Sequence, residues 1–276
     1  TVATLGGSVA ALGLVGETDL PLFAGTLVQA GIQNRLSSVP GVTRTCVTIL
    51  DPVGHTETHL RELGVVPPAD ALERVEVGLA DLRPEDWVVL AGSLPPGMPE
   101  DTYGSLIELI AERKACALLD ANGPPLLAGV ESRPTTLKLN LFELWQVDSR
   151  QADSATERDM GDVPLEEVLA AARRVQRRGI SEIVVSMGER GVLGLHDGQA
   201  WWARVRLDRP VVDAVGSGDA LGGGWVLARA RGHLFSDALL LGVACGAANT
   251  LTAGAGRLLR TDVERLSVRA EVSAVY

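Results

Sequence analysis

Residues 211–220 read Val-Val-Asp-Ala-Val-Gly-Ser-Gly-Asp-Ala, VVDAVGSGDA. A β-branched pair leads into two glycines, and behind them Ala220 to Ala230 carries the small apolar residues of a helix. Gly216 and Gly218 let the backbone turn sharply and come close to a ligand. The helix behind them presents unpaired N–H groups and the positive end of its dipole. The result is a cradle for an anion with the carboxylate of Asp219 at its rim. Such a carboxylate can take a proton from a hydroxyl while the N–H groups of 216–218 hold a transferring phosphoryl group. The plainer reading is a glycine-rich turn with Asp219 as an ordinary helix cap, because two glycines one residue apart are a weak signal. The stretch is neither a G-x-x-x-x-G-K-[ST] phosphate loop nor a dinucleotide fingerprint, which belongs beside a first strand.

Outward from this stretch, strand-like and helix-like segments alternate from Pro67 onward, the rhythm of a parallel sheet covered by helices on both faces. Strands are predicted at Trp87–Leu90, Ala117–Leu119, Thr135–Leu139 and Glu182–Ser186, with helices at Ala69–Leu82, Glu100–Arg113 and Leu165–Arg178. Val192–His196 and Ala200–Val205 flank Asp197-Gly198 as a hairpin, and Ser217–Arg231 and Ser236–Ala253 read as helices. At the start, Val9–Val15 reads as a strand and Leu20–Ala30 as a helix. Ile32–Leu36, Thr43–Leu50 and Thr56–Leu60 alternate or are β-branched around Pro40-Gly41 and 51–54, which predicts hairpins. The fold class is therefore α/β, a doubly wound, mostly parallel sheet with a small β excursion. The polar, aperiodic stretch 148–162 reads as a solvated loop.

Composition excludes several functions. The chain has 276 residues, 46% of them hydrophobic, which is enough for a substantial core. With 35 Asp+Glu against 25 Lys+Arg the net charge is −10, so neither nucleic acid nor an anionic membrane is the expected partner. Cys46, Cys116 and Cys245 are far apart in apolar surroundings, and read as reduced, buried thiols of a cytoplasmic protein. No apolar run, such as Ala238–Ala248, is long enough to span a bilayer. His55 and His59 share a strand face but lack a third ligand, so no metal site is expected there.

The residues at 213–220, D-A-V-G-S-G-D-A, resemble the D-T-x-G-A-G-D signature of the ribokinase-like PfkB carbohydrate kinases. Other segments agree in the same order. Ala91–Gly97, AGSLPPG, is similar to the G-S-L-P-P-G of the family's hexose-phosphate kinases; Asn140-Leu141-Phe142-Glu143 fits an N-x-x-E magnesium motif; and Ser186–Gly191 fits S-x-G-x-x-G. Gly246–Leu258 is similar to the helix beside the adenine.

The resemblance implies a ribokinase-like core at 1–31 and 63–276 and a β lid at 32–62. It implies ATP and Mg²⁺ as cofactors, and a phosphorylated ketohexose, of the fructose 1-phosphate or tagatose 6-phosphate type, as acceptor. Asp219 then resembles the catalytic base, with Gly216, Ser217 and Gly218 as the anion hole. Asn140, Glu143 and Asp213 correspond to the metal site, Asp213 ordering either the loop or a metal-bound water. Ser186, Gly188, Gly191 and Asn249 correspond to the nucleotide site.

Arg44, in Thr43-Arg44, matches an arginine that contacts the phosphate already on the substrate, with Ser93 near the same end. Lys138 and Asp120 each fit a site role or a structural one. Dimerisation through the lid is also implied.

The chain departs from this pattern at its start. Members open with a strand bearing a substrate-binding aspartate, two lid strands and a G-G-K-G-x-N loop, whereas Thr1–Leu12 resembles the helix end and the strand that come after that loop. Part of the lid and the first core strand are thus expected upstream of residue 1. Gly16-Glu17-Thr18-Asp19 differs from the family's G-x-D by one residue, and His59 stands where a glutamate is frequent. The alternatives are a kinase for an unphosphorylated sugar or nucleoside, and a non-catalytic nucleotide-binding protein on the same fold.

Overall fold

The computed structural model describes residues 1–51, 54, 56–150 and 163–276. His55 and most of the polar stretch 148–162 lie outside the described residues. The chain divides into two compact units: Thr1–Gly7, Leu82–Ser93 and Tyr103–Tyr276 make the larger, and Ser8–Asp81 with Leu94–Thr102 the smaller.

In the smaller unit, β1 (Ala10–Gly16), α1 (Leu20–Gln29) and β2 (Gln33–Val39) form a strand-helix-strand unit. β1 and β2 pair in parallel, Ala10 opposite Gln33 and Gly16 opposite Val39. The hairpin predicted for Ile32–Leu36 is therefore corrected. The strand is exposed only at its first two residues, and the ten-residue helix before it carries the chain back to start in the same direction. β3 (Cys46–Asp51) and β4 (Thr56–Arg61) do form the expected antiparallel hairpin, and α2 (Ala71–Gly78) comes next. Val47, Ile49 and Leu60 of the hairpin are exposed, and so is Cys46. Of the three thiols expected to be buried only Cys245 is: Cys116 is half-buried, and Cys46 is exposed because both faces of its strand are open.

The larger unit is a seven-stranded sheet in the order β11-β10-β9-β8-β7-β6-β5. β5 (Trp87–Ala91), β6 (Cys116–Asp120), β7 (Thr136–Asn140) and β8 (Glu182–Ser186) are parallel, while β9 (Val192–His196), β10 (Gln199–Arg204) and β11 (Glu271–Val275) run antiparallel in turn. The helices are α3 (Thr102–Glu112), α4 (Gly123–Glu131), α5 (Leu141–Ser149), α6 (Leu165–Gln176), α7 (Ser217–Ala230), α8 (Phe235–Asn249) and α9 (Arg260–Ser267). Neighbouring residues such as Leu118-Leu119 and Ile183-Val184-Val185 are all fully buried, so both faces of these strands are covered. That is why they read as unbroken apolar runs.

α7 packs closely on α8, and small residues make this fit: a Cβ on Gly224 would lie 2.6 Å from Cys245 Sγ. Burial pushes the Cys245 thiol up to about 12, which leaves it an inert core group. At the far end of α7, Arg229 donates to the buried Glu182 carboxylate at 2.6 Å, and Thr136 Oγ1 donates to the same group at 2.5 Å. The helix is thereby fixed to the sheet. Among the described residues no helix is long and apolar enough to cross a membrane.

Candidate active site

The carboxyl ends of the parallel strands gather the chemistry, as expected for an open α/β sheet. Ala91 of β5 lies opposite Asp120 of β6, and Asn140 of β7 opposite Ser186 of β8. Each strand therefore delivers a predicted site residue, or its neighbour, to one edge.

Beside that edge stands the start of α7. Gly216 caps the helix with φ +81°, and a Cβ there would meet the Gly256 backbone N at 2.5 Å and Ala255 Cα at 3.0 Å. Only glycine fits this position. Ala220 N–H makes the first return to the Gly216 carbonyl, at 2.9 Å, so the Gly218 and Asp219 amides precede the helix's own bonding. The loop before them is fastened by side chains. Asp213 accepts from Val215 N–H at 2.9 Å and from Gly254 N–H at 3.0 Å, and Asn249 donates to the Val215 carbonyl at 2.8 Å and to Ser217 Oγ at 3.3 Å.

Lys138 is 4% exposed, and its ammonium donates to Asp120 Oδ2 at 2.6 Å. Its Nζ lies 3.3 Å from where a Cβ of Gly218 would sit. A buried ammonium under a helix N-terminus is repelled by the dipole, and the Asp120 carboxylate compensates. Asp219 remains accessible to solvent. Nonetheless, loss of hydration raises its carboxyl above the usual aspartate range, Asp120 raises it further, and Lys138 pulls it back. Asp120, Lys138 and Asp219 thus form one electrostatic group.

Asn140 and Glu143 close a capping box at the start of α5. Asn140 Oδ1 accepts from Glu143 N–H at 2.8 Å, and Glu143 Oε2 accepts from Asn140 N–H at 2.7 Å. The same four residues that read as a metal motif therefore also start a helix, and the box fixes both side chains at the strand edge. Among the described residues no three His, Cys, Asp or Glu cluster as a metal site.

Ser186 Oγ donates to the Leu139 carbonyl at 3.3 Å, and the 3-10 turn Gly188–Arg190 comes next, with Gly188 at φ +60° and Gly191 at φ +93°. Ser93 is exposed just after β5. The Tyr103 hydroxyl holds that turn through the carbonyls of Ala91 at 3.0 Å and Gly92 at 2.9 Å. Tyr103 has no signal in the sequence, because one tyrosine at a helix start carries no pattern.

Asn249, expected in the nucleotide site, is fully buried and holds the 215–217 loop through hydrogen bonds. In the smaller unit, Arg44 is exposed two residues before β3, its stem 3.4 Å from where a Cβ of Gly64 would sit. Its neighbour Thr43 is locked, donating N–H to Asp19 Oδ2 at 2.7 Å and accepting from Gly16 N–H at 3.0 Å.

A profile described as pfkB family carbohydrate kinase matches residues 1–262. The chain is 33% identical over 234 residues to a 1-phosphofructokinase of Rhodobacter capsulatus, covering 84% of this chain and 70% of that one. It is 29% identical over 278 residues to a 1-phosphofructokinase of Vibrio cholerae, covering 100% and 83%. Among solved structures, phosphofructokinase-2 of Escherichia coli in complex with substrates and products superposes with a TM-score of 0.85 at 22% identity, covering 97% of this chain and 84% of that one.

Proposed function

The chain belongs to the pfkB family of carbohydrate kinases, and from that premise we propose that it transfers the γ-phosphoryl group of ATP to a hydroxyl of fructose 1-phosphate, giving a bisphosphate and ADP. The observation that carries this reading is Asp219 at the mouth of the α7 N-terminus, with its carboxyl raised and Lys138 beneath the first turn. The acceptor hydroxyl gives its proton to the Asp219 carboxylate as its oxygen bonds to the phosphorus and the bond to ADP breaks. The Gly218 and Asp219 amides and the helix dipole stabilise the charge that gathers on the phosphoryl oxygens. Asp213 and Asn249 keep those amides in place through their bonds to the 215–217 loop.

Asn140 and Glu143 offer amide and carboxylate oxygens, the donors a hard cation takes, so the set fits Mg²⁺ held together with nucleotide phosphates and water. When bound, Mg²⁺ supplies neutralisation of the phosphate charge. Both oxygens of Asp213 already accept backbone N–H groups, which favours its loop-ordering role. Ser186, Gly188 and Gly191 line the nucleotide in this reading.

Arg44 grips the phosphate that the acceptor already carries, the role its Thr43-Arg44 match implies. The β3–β4 hairpin, within 32–62, serves as the lid and as the contact of a homodimer. Related phosphofructokinase-2 includes a tetrameric inhibited form. A cytoplasmic site of action is where such substrates are met.

The test is ADP release from MgATP with fructose 1-phosphate, fructose 6-phosphate, tagatose 6-phosphate and the unphosphorylated sugars. Selective turnover of fructose 1-phosphate, crippled by Arg44→Ala, supports the reading. Turnover of unphosphorylated sugars untouched by Arg44→Ala would replace it.

A further inference from the structure

At the far end of the same sheet edge, β10 ends at Arg204 opposite Glu271, the first residue of β11. Arg204, Arg206, Arg269 and Glu271 line a cavity of about 200 Å³. Three guanidinium groups face one carboxylate there, in a chain whose net charge is −10. Asp208 pairs with Arg269 beside them, and the surplus of positive charge that remains attracts an anion.

The arginines differ in how they are held. The Arg204 guanidinium lies 4.7 Å over the Trp202 ring, and that ring is anchored by its indole N–H to the Arg190 carbonyl at 2.7 Å. Its contact with Glu271, at 3.5 Å, is long for a charged pair. Arg269 donates to Asp208 at 2.7 Å, which leaves other N–H groups of its fork for a ligand. Among the described residues Arg206 has no acidic partner. One stacked, one tethered and one unengaged guanidinium around a small cavity suit a tetrahedral oxyanion, which arginine binds in a bidentate way.

We propose that Arg204, Arg206 and Arg269 form a second anion site that takes a phosphate group, separate from the site of phosphoryl transfer. The size sets the class of ligand. Pockets for drug-sized molecules usually start at about 300 Å³, so this cavity suits inorganic phosphate or a small phosphomonoester. The cavity adjoins the nucleotide turn, since a Cβ on Gly191 would lie 3.0 Å from Arg204 Cβ. An occupant would therefore be felt there without sharing the catalytic residues.

The experiment is calorimetric titration of inorganic phosphate, and separately of glycerol phosphate, into the full chain at constant ionic strength balanced with chloride. A non-hydrolysable ATP analogue with Mg²⁺ is present at saturation. One phosphate bound per chain is expected, weakened about tenfold or more by Arg206→Ala and by Arg204→Gln. Asp219→Asn should bind it unchanged, and because no turnover is read, the result stands apart from the kinase assignment. Comparable binding of both ligands shows that the phosphate group alone is read, and binding of only one assigns the source. No binding, or binding as tight in both arginine variants as in the unaltered chain, would overturn the second site.

Discussion

Lys138→Met tests the buried electrostatic group most directly. The side chains of Lys138 and Asp120 are 5% and 15% exposed and meet at 2.6 Å. An exposed pair would contribute about 0–1 kcal/mol, but removing one partner of a buried pair costs about 3–5 kcal/mol, because the other charge is left desolvated. Met preserves most of the stem that packs beneath Gly222, so the loss is mainly of charge. At about 2–4 °C per kcal/mol for a chain of this order of size, the melting temperature should fall by roughly 6–20 °C. Urea unfolding followed by tryptophan fluorescence, with fully buried Trp225 as a natural reporter, gives the free energy. Asp120→Asn should cost a similar amount, and the double variant Lys138→Met/Asp120→Asn clearly less than the sum of the two. A single-variant cost below about 1 kcal/mol, or strict additivity in the cycle, would refute the reasoning.

The same geometry sets further outcomes. The raised Asp219 carboxyl places the acid limb of the kcat/KM profile above the ordinary aspartate range; Lys138→Met should move it to higher pH and Asp120→Asn to lower pH, and a limb indifferent to both would dissociate Asp219 from the group. An aspartate whose folded value lies above its unfolded value favours folding only while protonated, so its contribution is present below the unfolded value and lost as pH rises through the folded one. Asp219→Asn should therefore abolish turnover while raising the melting temperature at neutral pH, with retained turnover refuting its role as base. Gly216→Ala places a Cβ against the 255–256 backbone at positive φ; the left-handed conformation alone costs about 1–2 kcal/mol, and turnover should fall further than thermal melting indicates. Asn249→Ala removes the buried bonds to Val215 and Ser217 and should cost about 1–3 kcal/mol, with reduced kcat and near-unchanged acceptor KM in steady-state assays.

Much of this molecule is legible without coordinates, for reasons that differ from element to element. Ile183-Val184-Val185 announces a strand covered on both faces, because an unbroken apolar run has no other way to leave water. The 213–220 stretch announces its turn, because Gly216 occupies a conformation and a space that other residues cannot. Short elements are less visible: α4 and α5 succeed their strands with almost no linker, and α9 and β11 carry weak patterns at the end of the chain. β2 reads as a hairpin strand because an alternating stretch stands before Pro40-Gly41, whereas its pairing is decided by the helix that precedes it.

Local periodicity and backbone freedom are enough to set the alternation of strands and helices and the glycine turn that places Asp219 at the start of α7, and the order of short motifs along the chain is enough to reveal its kinase family. None of these needs a distant residue. The pairing of Lys138 with Asp120, the role of Asn249 as a buried brace and the meeting of three arginines around one cavity emerge only from the folded chain. Those contacts join residues far apart in sequence, and a side chain's partner is set by which strand ends the sheet brings side by side.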